Sequence, residues 1–331
     1  MKQLAVLGAG SWGTALAIAL APRFDSVNLW VRDAARAAEI ERSGENARYL
    51  SGFRLPPSVR ASADIAVAVK NAGVVLSVTP SAHLRSALES VQPLISQSTA
   101  VVSATKGIEE SSLLRMSEVA KSVLGKAHFR LAVLSGPTFA KEIAAGEPAA
   151  VVIASEHLAF AEEIQDAFST ATLRFYTSTD VTGVEIGAAL KNVIAIGAGI
   201  CRGLGLGSNS AAALVTRGLA EITRLAMTLG GHQRTLSGLA GLGDLVLTAT
   251  GDLSRNRSVG VQLGQGQQLA HILAGMMMVA EGVGTCRAAY QLGRKHNVDL
   301  PIVNKMYEIL YESKDPRQAI RELMERPLTS E

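Results

Sequence analysis

The sequence predicts an α/β protein in two parts: a doubly wound parallel sheet over residues 1–178, followed by an all-helical domain over residues 179–331. Three observations carry that prediction. Through Thr177, short β-branched runs at 27–31, 74–78, 100–103, 131–134, 150–153 and 173–176 alternate with helical patterns. Runs such as VVLSV are continuously apolar, so both faces are buried, as a doubly wound sheet requires. After Asp180 the strand signals stop, and long amphipathic stretches at 183–201, 211–229, 282–295 and 301–311 take over. With 331 residues, 48% of them hydrophobic and 18% charged, the chain has enough apolar material for two cores.

The first element is the run Leu4 to Leu7, which leads directly into Gly8, Gly10 and Gly13 and then into a helix of small residues. Gly8 permits a tight strand-to-helix turn, Gly10 leaves room for a pyrophosphate, and Gly13 lets helix and strand pack closely. The amides at the start of the helix then face the phosphates, so the ligand class is a dinucleotide. The second strand ends in LWVRD, where such a fold meets the adenosine ribose. Asp33 suits the 2′-hydroxyl of NADH, whereas Arg32 suits the 2′-phosphate of NADPH. If Asp33 caps the following helix, Arg32 decides; NADPH is favoured, with use of both cofactors left open.

Further along, Lys106 follows the strand at 100–103, at the carboxyl edge of the sheet where ligands bind. The segment SGPTFAKE (135–142) follows the next strand and opens a helix with free amides and a hydroxyl. In the helical half, Lys191 lies among small and apolar neighbours; it is either a working buried amine or one paired with Glu185. Asp244 and Thr248, four apart, share a helical face on which Asp244 can hold an ammonium group or cap the helix. Ser254, Arg255, Asn256 and Arg257 together offer a guanidinium fork, an amide and a hydroxyl to a phosphate. The stretches at 203–210 and 236–244 read as Gly-rich loops, and DPRQAIRELM (315–324) as a terminal helix started by Asp315 and Pro316.

Composition narrows the rest. A net charge of +3, from 32 basic and 29 acidic residues with no arginine-rich run, argues against a nucleic-acid partner. Cys201 and Cys286 have neither zinc nor disulfide spacing, and histidines 83, 128, 157, 232, 271 and 296 lack metal-ligand spacing, so no metal is expected. The N-terminal apolar run passes straight into the glycine loop without a cleavage-like region, which points to a cytoplasmic chain. The greasiest helical stretch, 192–201, is about half a membrane span, so membrane insertion is not expected either. A homodimer is the expected assembly.

Taken together, GAGSWGTALA (8–17), SATKGIE (103–109), SGPTFAKE (135–142), ALKNVIAIGAGI (189–200), TRGLAE (216–221), GLAGLGDLVLT (238–248), SRNR (254–257) and EGVGT (281–285) closely resemble the bacterial NAD(P)-dependent glycerol-3-phosphate dehydrogenases. That resemblance covers nearly the whole chain. It implies a Rossmann domain followed by a helical substrate domain, and reversible reduction of dihydroxyacetone phosphate to sn-glycerol 3-phosphate, a precursor of phospholipid backbones. It further implies Lys191 as the proton-transfer residue and Lys106 as a second substrate contact. Gly136, Thr138, Asp244, Ser254, Arg255 and Asn256 would surround the substrate, and Ser11, Trp12, Arg32, Lys106, Ala140, Arg255, Val279 and Glu281 would touch the cofactor. Three positions depart from the family's usual pattern: Thr138 stands for a serine, Ala211 for an arginine and Ala249 for a cysteine.

Overall fold

A computed structural model describes residues 2–125 and 130–328; His128, one of the histidines weighed as a metal ligand, lies outside them. The strands are β1 (Gln3–Leu7), β2 (Ser26–Trp30), β3 (Val59–Ser62), β4 (Val74–Ser77), β5 (Ala100–Ser103), β6 (Leu131–Ser135), β7 (Ala149–Ala154) and β8 (Leu173–Ser178). They form a sheet in the order β3-β2-β1-β4-β5-β6-β7-β8. Alternating side chains of β1 face opposite ways: Leu4 and Val6 pack with Leu16 and Leu20 of the first helix, while Ala5 and Leu7 pack with Val91. Burial on both faces makes the strands read as apolar runs rather than alternating ones.

Two features of the sheet differ from the expected pattern. The edge strand β3 reads VRAS and is half polar, so its sequence gives little hydrophobic signal. The sheet is also not parallel throughout, because β7 runs antiparallel to β6. The chain between them carries only a six-residue helix, Ala140–Ala145. An antiparallel successor begins at the end of the sheet where its predecessor stops, so this connection stays at the carboxyl edge instead of crossing behind. Gly136, Thr138 and Ala140 therefore lie at the carboxyl edge of the sheet.

The second core surrounds one helix, Val181–Gly203, started by Asp180, whose carboxylate accepts the Gly183 amide at 2.8 Å and the His232 amide at 2.9 Å. The apolar stretch 192–201 is the last part of this 23-residue helix, not a short helix of its own. By length and composition the helix could cross a membrane, but its most apolar window is 100% buried inside the protein. The expected loop at 236–244 is also helical. A π-helical turn, Leu239–Gly243, runs into the helix Asp244–Thr250. Its glycines and alanines let its backbone lie against the long helix, so that a Cβ at Gly187 would sit 2.7 Å from the Ala240 carbonyl oxygen.

A tighter crossing fixes the helix Arg255–Gly264. A Cβ added at Gly260 would fall 1.9 Å from the Ile196 carbonyl oxygen, and one at Gly199 would fall 2.0 Å from that of Arg257. Backbone therefore rests on backbone, bringing the amino end of Arg255–Gly264 beside the middle of the long helix. Gly260→Ala is expected to cost about 1–3 kcal/mol, the usual penalty of overpacking, read as a lower urea midpoint. An unchanged midpoint would show that the crossing is looser than described.

Candidate active site

The glycine loop has the shape a dinucleotide needs. Gly8 has φ +113°, and a Cβ there would lie 2.9 Å from the Val78 carbonyl oxygen. A Cβ at Gly13 would lie 1.9 Å from the Gly8 carbonyl oxygen, whereas at Gly10 it would meet nothing within 4 Å. The loop is thus packed on two sides and open on the third, where the helix Ser11–Leu20 begins at Ser11 with no side chain capping its first turn. The half-buried Trp12 lies in that turn, and its indole N–H is buried without a partner among the described residues.

At the end of β2, Asp33 caps the helix Ala34–Ser43 by accepting the Arg36 amide at 2.9 Å, a bond that holds its carboxyl below the usual range. Arg32 beside it is exposed and makes no hydrogen bond or ion pair among the described residues. Two further guanidinium groups flank Tyr49, with Arg36 at 4.8 Å and Arg48 at 5.7 Å from its ring centre. Arg36, in the first turn after Asp33, and Arg48 and Tyr49, beyond that helix, were not singled out from sequence; a whole helix separates the last two from the LWVRD pattern.

Where the sheet meets the helical domain, three elements converge on one carboxylate. Lys106, just beyond β5, donates to Asp244 Oδ2 at 2.8 Å and to the Gly136 carbonyl at 3.3 Å. Lys191, halfway along the long helix, donates to Asp244 Oδ1 and, at 2.9 Å, to the Thr248 hydroxyl. Ser135, at the end of β6, donates to Asp244 Oδ2 at 3.3 Å; it opens the SGPTFAKE segment, but nothing local marks it as a partner of Asp244. Thr248 in turn donates to the Asp244 backbone carbonyl. The capping alternative for Asp244 falls, since Gly243 is the cap residue and the Asp244 carboxylate is committed to the two lysines.

Charge inside this cluster is regulated by burial. Asp244 is 0% exposed and Lys191 5%. Burial pulls the Lys191 amine down to about 7, a shift that Asp244 opposes and the neighbouring Lys106 ammonium reinforces. Both lysines hold the Asp244 carboxyl below its usual range against its own burial. Glu185 is no partner of Lys191. Six residues along a helix is about 600°, so the two side chains leave the axis on different sides. Glu185 instead accepts from Arg115 at 2.7 Å and from the Ser117 amide and hydroxyl at 2.7 and 2.6 Å, joining the long helix to the sheet domain.

The SRNR segment is divided rather than gathered. Ser254 caps its helix by accepting the Arg257 amide, and Arg257 pairs with the exposed Asp252 at 2.7 Å. Asn256 points inward, donating to Asn192 Oδ1 and accepting the Gly282 amide, both at 2.9 Å. Arg255 remains exposed, with no hydrogen bond or ion pair among the described residues. Thr138 donates to the Gly136 carbonyl at 3.2 Å, and the helix that follows starts at Ala140 rather than at Gly136. Glu281 begins the helix Glu281–Lys295 and binds Ser81, while Val279, two residues earlier, is 54% exposed. Asn192 and Ser81 were not singled out from sequence; the position of Asn192 beside Lys191 was the available signal.

Two family profiles match the chain, "NAD-dependent glycerol-3-phosphate dehydrogenase N-terminus" over residues 3–161 and the corresponding C-terminus over 180–321. A glycerol-3-phosphate dehydrogenase (NAD(P)+) of Koribacter versatilis (strain Ellin345) is 52% identical, covering 100% of this chain and 99% of the relative. One of Nitratidesulfovibrio vulgaris (strain Hildenborough) is 50% identical, covering 99% of this chain and 100% of the relative. The crystal structure of glycerol-3-phosphate dehydrogenase from Coxiella burnetii superposes with a TM-score of 0.93 at 38% identity, covering 98% of this chain and 99% of that one. With its glycine loop, its paired lysines and its two domains in this order, the chain belongs to the NAD-dependent glycerol-3-phosphate dehydrogenase family.

Proposed function

We propose that this chain reversibly reduces dihydroxyacetone phosphate to sn-glycerol 3-phosphate with NADPH or NADH, and that Lys191 moves the proton. One observation carries the reading: two ammonium groups, Lys106 and Lys191, meet on one buried carboxylate at the carboxyl edge of the sheet that bears the glycine loop. The cofactor would be held by Gly8, Gly10, Ser11, Trp12 and Gly13 at its pyrophosphate, by Arg32 near the adenosine ribose, and by Ala140, Arg255, Val279 and Glu281 along the crevice. The chemistry it supplies is the hydride exchanged with the oxygen-bearing carbon of the substrate.

The remaining work falls to side chains. Charge building on the substrate oxygen is stabilised by Lys106 and Lys191, and Lys191 then donates the proton. Asp244 and Thr248 orient the Lys191 amine, and Gly136, Thr138, Ser254 and Asn256 line the substrate. The unpaired guanidinium of Arg255, at the amino end of its helix, suits the phosphate. Unpaired Arg32, with Arg36 and Arg48 nearby and Asp33 committed to its cap, favours NADPH over NADH. The reading divides the domains between β8 and the long helix, at 178/179. It also takes the working unit to be a cytoplasmic homodimer: Cys201 and Cys286 are both free and buried, and two-fold pairs are the commonest assembly.

Following nicotinamide absorbance with dihydroxyacetone phosphate and each reduced cofactor in turn tests the reading. Turnover with NADPH above that with NADH is expected, and no turnover with either would overturn the assignment. The pH profile follows from the lowered Lys191 amine. Reduction needs its ammonium form and slows as pH rises through about 7; oxidation needs the neutral amine and speeds up over the same interval. Rates flat from pH 6 to 10, with chemistry rate-limiting, would count against Lys191 as the proton carrier.

A further inference from the structure

We propose that Ser81 is a positioning residue for the cofactor, holding the Glu281 carboxylate across the crevice between the sheet and the helical domain. This rests on the reading above that Glu281 meets the cofactor. Ser81 lies in a short turn, Ser81–His83, just past the carboxyl end of β4. That end of the sheet forms the rim of the glycine loop, since Val78 and Thr79 are the atoms a Cβ on Gly8 would strike. From this rim the Ser81 hydroxyl donates to Glu281 Oε2 at 2.5 Å and its amide donates to Oε1 at 3.3 Å. Two donors from one residue thus grip a carboxylate that is 200 positions away in the chain.

The grip is built into the fold. Gly107, the neighbour of Lys106, has φ +157°, and a Cβ there would fall 2.6 Å from the Ser81 Cβ. The segment that delivers Lys106 therefore also sets how closely Ser81 approaches. Arg255 attracts the Glu281 charge and Glu110 repels it; Glu110 is itself paired with Arg287 at 3.3 Å. Burial pushes the Glu281 carboxyl up, and the two bonds from Ser81 act against that rise. The two bonds favour the ionised form, and a carboxylate has acceptor sites beyond those two for hydroxyl donors. A ribose diol is the part of a dinucleotide that supplies them.

Three variants, Ser81→Ala, Glu281→Ala and the double variant, test the proposal through cofactor KM and kcat across the acid range. Loss of a hydrogen bond to a charged group predicts that Ser81→Ala raises cofactor KM on the order of tenfold with kcat nearly unchanged. The acid limb of the KM profile moves to higher pH, because the carboxyl without its donors protonates sooner. Glu281→Ala raises KM at least as far and loses that limb, and the double variant is no worse than Glu281→Ala alone. If Glu281→Ala weakens the cofactor while Ser81→Ala moves neither KM nor the limb, Ser81 does not position the carboxylate, although Glu281 still meets the cofactor. If Glu281→Ala leaves KM unchanged, the reading of Glu281 falls and the proposal with it. If Ser81→Ala lowers the urea midpoint and kcat together with the acid limb unmoved, the serine is structural and the proposal is overturned.

Discussion

Replacing Lys191 with alanine is expected to lower turnover in both directions by about four orders of magnitude while cofactor affinity survives. A positioned general acid or base contributes roughly 10²–10⁴-fold, and removal of one group stabilising a developing oxyanion costs roughly 10²–10³-fold. Both roles belong to one amine here, so the losses overlap rather than multiply. Folding should suffer less than turnover. Asp244 keeps its bonds to Lys106 and Ser135, so removal of Lys191 leaves no unpaired buried carboxylate. Stopped-flow measurement of hydride transfer, with cofactor titration alongside, checks both halves. A variant that turns over within tenfold of the parent would end the assignment of Lys191.

Asp244→Ala reverses that order, with stability hit hardest. It removes the carboxylate that the two lysines share, and leaves their ammonium groups facing each other at a buried site. Breaking a buried ion pair by deleting one partner costs about 3–5 kcal/mol, which should show as a large drop in the urea midpoint. Asp244→Asn keeps the shape and separates charge from packing. With its counter-charge gone, the Lys191 amine falls below its present value of about 7, so reduction at neutral pH weakens and the oxidation limb moves to lower pH. A parental midpoint in Asp244→Ala together with an unmoved limb in Asp244→Asn would mean that the carboxylate neither holds nor tunes the lysines.

Much of this was legible in the sequence, for reasons that differ from residue to residue. The glycine loop stands out because backbone packing requires each glycine at its own position, and Lys191 because a charge among small apolar neighbours conflicts with its surroundings. Asp244 and Thr248 were visible as a pair four apart on a helix. What stayed hidden depends on long-range approach. Nothing local tells Glu185 to choose Arg115 and Ser117 over Lys191, or marks Ser135 as a third donor to Asp244. The stretch 236–244 looked like a loop because three glycines suggest turns, yet here they allow a helical segment to lie against another backbone. The reversal of β7 is likewise a property of the path between strands, not of either strand's residues.

The long helix places Lys191 near its midpoint, ten residues after Val181 and twelve before Gly203. Helix ends fray at little free-energy cost, but a central turn enclosed by protein on every side opens only when the whole domain does. The amides of Lys191 and Asn192 should therefore exchange with solvent only through global unfolding. Placing the reactive amine there makes its alignment as persistent as the folded state itself, and leaves the motions that admit and release substrate to the crevice rim.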